Sequence, residues 1–239
     1  LSIIPGHRIK ELALIKVVLA FRDKRDRLII RDAHSQDRTV RVLIMDQSKS
    51  EIVLESIRER QSIRSFADRP VPESLIRTII KAGTEAPTAG NIQPWQFVVV
   101  IDPGLLRRIS DFCRRVLTAN LAAYPGETGE RYRTMLENPD FNLFYHAPVL
   151  VMVIGDERDP HHLYDCTLCA GNMLLAASSL GLGGCWLATA DVVDQNPDLM
   201  KELRIPDHYA IVAPLVFGYP APRQPKKPER REPKVIWLD

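Results

Sequence analysis

The chain has 239 residues, enough for one large domain or two small ones, and its 45% apolar and 26% charged residues are ordinary for a globular protein with a sizeable core. A formal net charge of +2, from 32 basic and 30 acidic residues, excludes bulk charge as a means of attracting nucleic acid or an anionic membrane. The apolar run from Leu12 to Phe21 is interrupted by Lys16, is too short to span a bilayer and lacks a small-residue cleavage site. Cys113, Cys166, Cys169 and Cys185 fall in apolar or helical-looking stretches, so free thiols in a reducing cytoplasm are expected.

In chain order, residues 7–41 interleave charges with short apolar runs, and either two short strands or a helix followed by a strand fits them. A recognisable domain starts near Met45, so residues 1–44 read as an extension and 45–239 as the working domain. Apolar spacing predicts helices over 50–61 and 73–85, the second preceded by Pro72. The run 95–101 reads as a strand buried on both faces, and 103–118 as a helix. Residues 119–146, rich in aromatics and turn formers, suit a mobile cover over a pocket.

A second buried strand is expected at 148–155. It is followed by a helix over 161–180 that is apolar on more than one face, as in a core or subunit interface. Gly181, Gly183 and Gly184 end that helix; a strand over 184–188, a short helix over 197–203 and a strand over 210–220 follow. The tail from Ala221 to Pro233 is dense in Pro, Lys and Arg, and closes on an apolar VIWL that suits an arm docking on something. Helices alternating with buried strands imply an α+β or α/β domain around a central sheet.

Three segments carry candidate chemistry. Arg60-Gln61-Ser62-Ile63-Arg64 sets two guanidinium groups four residues apart, a spacing able to hold an anion, although a solvated helix end would look the same. The loop from Ala86 to Trp95 crowds Pro87, Thr88, Asn91 and Gln93 onto a tight connection whose backbone and amide groups can reach a ligand; turn chemistry alone would also explain its Gly90-Asn91. The segment Gly181 to Thr189 offers glycines through which backbone can approach a flat ligand. Its order, helix then glycines then strand, is the reverse of a phosphate-cradling dinucleotide loop, and a helix cap followed by a core strand is the plain alternative. Cys166 and Cys169 form a lone C-x-x-C in a helical pattern and read as buried thiols. The six histidines lack a ligand framework, and no metal is expected.

Taken together, in this order and spacing, the three segments resemble the FMN-dependent nitroreductase family, with its R-R-S-x-R-x-F start, A-P-S-x-x-N-x-Q-P-W loop, G-L-G-x-x-W-I-G segment and basic tail. The resemblance runs over residues 45–233. It implies a mixed central sheet flanked by helices, and an intertwined homodimer with FMN at the interface. Arg60, Gln61 and Ser62 would then lie at the ribityl-phosphate end, and Arg64 at the N1–O2 edge of the ring as electrostatic stabiliser. Pro87, Thr88, Asn91 and Gln93 would come from the partner loop, Trp186, Leu187 and Ala188 would line the ring, and Arg231 of the tail, or Arg230, would close on the phosphate. Gln61, Thr88 and Ala188 depart from the family's commoner arginine, serine and glycine. No side chain would act as a catalytic acid or base, because the flavin carries the chemistry. NADH or NADPH would be the electron donor, and a small electron-poor molecule such as a nitroaromatic, a quinone or a flavin the acceptor, in ping-pong order. The same fold also serves flavin-dependent dehalogenases and dehydrogenases, and a non-catalytic flavin carrier is the reading from a different class.

Overall fold

The computed structural model describes residues 18–22, 28–32, 48–123, 125–138 and 141–238. Within these, the chain packs as two units, Leu1–Glu55 and Ser56–Asp239. In the first unit β1 (Val18–Arg22) and β2 (Leu28–Asp32) pair antiparallel, in line with the two-strand alternative; the rest of residues 7–41 lies outside the described residues. Helix α1 (Lys49–Glu59) begins at a reciprocal cap: the Ser48 N–H donates to the Glu51 carboxylate at 2.8 Å, and the Glu51 N–H donates to the Ser48 hydroxyl at 3.3 Å. That pairing satisfies two of the donors a helix start leaves without partners. The helix buries none of its residues, and Ile52, Val53, Leu54 and Ile57 all face solvent.

The larger unit is built on a four-stranded sheet. Its members are β3 (Trp95–Val100), β4 (Val149–Asp156), β5 (Gly183–Trp186) and β6 (Tyr209–Gly218), in the order β3-β4-β6-β5. Every ladder in it is antiparallel; parallel character is confined to an isolated bridge between Ser62 and Gly184. The central strands β4 and β6 are buried almost throughout, as their unbroken apolar runs demand. The β3 strand is different. It reads from sequence as buried on both faces, but it lies at the sheet edge, where Val99 is exposed and Phe97 and Val98 are only partly covered. A run of apolar residues signals burial without saying which neighbour supplies it, and among the described residues no strand pairs with the outer side of β3.

Helices pack on both faces of the sheet. On one, α2 (Glu73–Gly83) lies against α5 (His162–Ser179), with Ile76, Ile79, Cys166, Cys169, Met173 and Ala177 closing a core over Val151, Val153 and Leu215. On the other, α3 (Pro103–Ala119) and a 3-10 segment (Ala188–Gln195) cover Leu150, Met152 and Ile154. Local chemistry sets the helix starts. The Asp102 carboxylate accepts from the Leu105 N–H at 2.6 Å with Pro103 at the first helical position. Asn196 repeats the device for α6 (Pro197–Glu202), accepting from the Leu199 N–H at 3.1 Å beside Pro197. The stretch read as a mobile cover contains a further helix, α4 (Gly126–Glu137). Its C-terminal end is held by the Arg114 guanidinium, which donates to the carbonyls of Leu136 and Asn138 at 3.0 and 3.3 Å.

All four cysteines are free and buried. Burial pushes the Cys113, Cys166 and Cys169 thiols up to about 12, so at neutral pH they are protonated packing groups, not ligands or nucleophiles. These three should resist a disulfide-exchange reagent at pH 8 in the folded protein and react once it is denatured; fast labelling of folded protein would contradict their burial. Because their folded values lie above the unfolded one of about 9, the stability they contribute is complete below pH 9 and is lost as the pH climbs towards 12.

Candidate functional site

The first and third motif segments meet directly. After α1 the chain runs extended, and the Ile63 N–H donates to the Gly184 carbonyl at 3.0 Å next to the Ser62–Gly184 bridge. This meeting depends on the glycines. A Cβ on Gly183 would stand 2.6 Å from the Ile63 side chain, and one on Gly184 would stand 2.9 Å from both Leu174 and Phe217. The two glycines were read from sequence as letting backbone approach a flat ligand; the space their missing side chains leave is instead filled by the protein's own Ile63, Leu174 and Phe217. Gly181, with φ of +75°, takes the left-handed conformation that ends α5.

The tail folds back along the same segment. Phe66 bridges Pro220, and the Ala221 N–H and the Gln224 side-chain amide donate to the Ser65 carbonyl at 3.0 and 2.8 Å. The Lys227 ammonium donates to the Arg58 carbonyl. Between the two runs lies a groove of about 290 Å3, lined by Gln61, Ser62 and Arg64 on one side and by Gln224, Lys226, Lys227 and Arg230 on the other. Four cationic side chains on one small groove make it a seat for an anion. Arg230, not Arg231, is the tail arginine that reaches this lining, and Arg60 lies half-buried just before it in the chain.

Two residues outside the predicted site set, Tyr145 and Cys185, sense the Arg64 charge. Burial pushes the pKa of the Tyr145 phenol up, opposed by the nearby Arg64 charge. The Cys185 thiol is also pushed up by burial, while Arg64, the Ser62 hydroxyl and Arg60 pull the other way. Tyr145 and its neighbour His146 both adopt positive φ, 54° and 57°. The turn is held by the Asn142 side-chain oxygen, which accepts from the N–H groups of Phe144 and His146 at 2.9 and 3.3 Å. Such backbone is rare for residues with a Cβ, and where it occurs it clusters at working sites.

The other predicted residues lie apart from the groove. Trp186 ends β5, Leu187 is buried with its N–H donating to the Pro214 carbonyl at 2.9 Å, and Ala188 is exposed at the start of the following 3-10 segment. Pro87, Thr88, Asn91 and Gln93 sit on the loop between α2 and β3, and none of them lines the groove. That loop is tightly wound: Gly90, Asn91 and Gln93 have φ of 57°, 57° and 54°. The Gln93 N–H donates to the Thr88 hydroxyl at 3.3 Å, and its side-chain amide donates to the Asn91 side-chain oxygen at 3.1 Å. No group of histidines, cysteines and carboxylates among the described residues is arranged to hold a metal, and no described helix is long and apolar enough to cross a membrane.

Comparison with known proteins places this architecture. Residues 57–219 match the model of the Nitroreductase family. The chain is 33% identical over 173 residues to a protein of Methanothermobacter thermautotrophicus named "Putative NADH dehydrogenase/NAD(P)H nitroreductase", covering 71% of this chain and 78% of that relative. Among solved structures, a nitroreductase with bound FMN from Bacteroides fragilis superposes with a TM-score of 0.66 at 24% identity, over 78% of this chain and 98% of that one; at that identity the likeness speaks to the fold. The structure of oxidized iodotyrosine deiodinase bound to FMN and 3-iodo-L-tyrosine gives the same TM-score, 0.66, at 25% identity, over 78% and 99% of the two chains. By its fold, by the meeting of its first and third motifs and by the extent of these matches, the chain belongs to the nitroreductase family of oxidoreductases.

Proposed function

We propose that the chain binds FMN and uses NADH or NADPH to reduce small electron-poor acceptors such as nitroaromatics, quinones or flavins. The observation that carries this reading is the cationic groove formed where Ser62 and Arg64 face the basic tail. Its donors suit a phosphate and a polar ring edge, and proteins solved with FMN bound share the overall fold. When bound, FMN would supply the hydride-accepting and hydride-donating ring.

The chain's own residues position and stabilise. Arg60, Gln61 and Ser62 would hold the ribityl-phosphate end, together with Arg230 of the tail. Arg64 would place a fixed positive charge at the N1–O2 edge. Trp186, Leu187 and Ala188 back the ring. Pro87, Thr88, Asn91 and Gln93 complete the site from a second copy of the chain, in keeping with their absence from the groove of their own subunit. The purified protein should therefore be yellow and should bleach anaerobically with NADH or NADPH. A colourless protein that takes up no added FMN would remove the reading, and one that holds flavin but is not bleached by either nicotinamide would be a carrier.

The extension 1–44 is proposed to be dispensable for this activity. A chain beginning at Met45 should fold and hold flavin as the full chain does, and loss of flavin on that truncation would show that the extension belongs to the working unit.

A further inference from the structure

The loop that carries Thr88, Asn91 and Gln93 is held by a carboxylate on another element. Asp165, in the first turn of α5, is only 4% exposed. Both of its oxygens accept from the Ala89 N–H, at 3.2 and 3.4 Å. A buried carboxylate is costly unless it meets donors, and the contact made here spans 76 residues of sequence. Ala89 immediately precedes Gly90 and Asn91, the first two left-handed residues of the loop. Left-handed backbone at Asn91 and Gln93 persists only where surrounding contacts over-determine it. The Thr88 hydroxyl supplies one such contact, to the Gln93 N–H, from within the loop. Asp165 supplies another from outside and ties the loop to α5.

We propose that Asp165 is a positioning residue of the cofactor site, fixing the loop so that Thr88, Asn91 and Gln93 are presented in one conformation. Its consequence for the cofactor rests on the flavin reading above; the clamp itself does not.

The test uses full-length protein with Asp165→Ala and Asp165→Asn. The first removes the acceptor; the second keeps an acceptor oxygen without the charge. Amide hydrogen exchange needs no flavin: exchange at Ala89 should rise about tenfold or more in Asp165→Ala, and less in Asp165→Asn, while the centres of β4 and β6 stay as protected as in the parent. FMN titration then follows the consequence. Asp165→Ala should bind about tenfold or more weakly, with a shifted visible spectrum of the bound flavin, and Asp165→Asn should recover affinity to within about threefold of the parent. If the parent binds no FMN, the flavin reading fails while the exchange result still judges the clamp. Unchanged Ala89 exchange in both variants overturns the clamp. Raised exchange with unaltered flavin affinity and spectrum overturns its role in the cofactor site. Should Asp165→Ala not fold, the Ala89 exchange and flavin affinity of Asp165→Asn, each expected to change in the same direction by a smaller factor, decide alone.

Discussion

Arg64→Ala should weaken FMN binding about tenfold or more and lower the reduction potential of the bound flavin. Arg64 lines the groove from the first-motif side, and its guanidinium is the charge that the Tyr145 phenol and the Cys185 thiol both sense. A hydrogen bond to a charged group contributes roughly 1.5–3 kcal/mol, or about 10- to 150-fold in affinity. Because Arg64 is exposed in the single chain, the lower end of that range is expected unless a second subunit covers it. The potential is the more discriminating readout. Negative charge gathers on the pyrimidine edge of the ring on reduction, and a fixed cation there favours the reduced form beyond any effect on affinity. Arg69→Ala is the matched control, since its guanidinium lies over the Tyr219 ring at 3.8 Å and does not line the groove. An Arg64→Ala protein with the parent's dissociation constant and potential would sink the assignment.

What could be read from the sequence follows a physical divide. Features fixed by near neighbours in the chain were legible. Pro72 before Glu73, Asp102-Pro103 and Asn196-Pro197 each mark a helix start within a residue or two of where it falls. The burial of β4 was likewise written in its apolar run. Features that depend on a distant partner were not legible. Nothing local in β3 says that it is an edge strand. Nothing at Gly183 says that the Ile63 side chain occupies its space. Asp165 sits in a largely apolar helix, and its donor lies on another element. Tyr145 falls in a stretch read as a mobile cover, although the Ser110 hydroxyl accepts from the Leu143 N–H at 3.0 Å and pins that stretch to α3. The family motifs picked out the first and third segments but not the contacts that bring them together.

The protein should be a homodimer whose flavin sites fail when the dimer fails, and removing residues 221–239 should abolish both. One chain leaves much apolar surface uncovered. Val235, Ile236, Trp237 and Leu238 at the tail are exposed, Trp237 to 85%. So are Ile52, Val53, Leu54 and Ile57 on α1, Leu163 and Tyr164 on α5, and Val99 on the open edge of β3. Apolar surface left at an open strand edge and along an apolar arm is unstable in water. Burying these surfaces between two copies would place the interface above ~2,000 Å2, in the obligate class. Added FMN should then raise the melting temperature, since a ligand at 100 times its dissociation constant stabilises by about 2.7 kcal/mol. The long deletion removes Gln224, Lys226, Lys227 and Arg230 from the groove as well as the apolar tip, so by itself it cannot separate the two effects. A deletion of 234–239 can, because it spares every groove residue and takes away only the arm's end. Loss of dimer together with loss of flavin in that shorter deletion is the expected result, since Thr88, Asn91 and Gln93 would no longer be supplied from a second copy. Sedimentation of either truncated or full chain as a monomer that still holds one FMN per subunit would rule the shared site out.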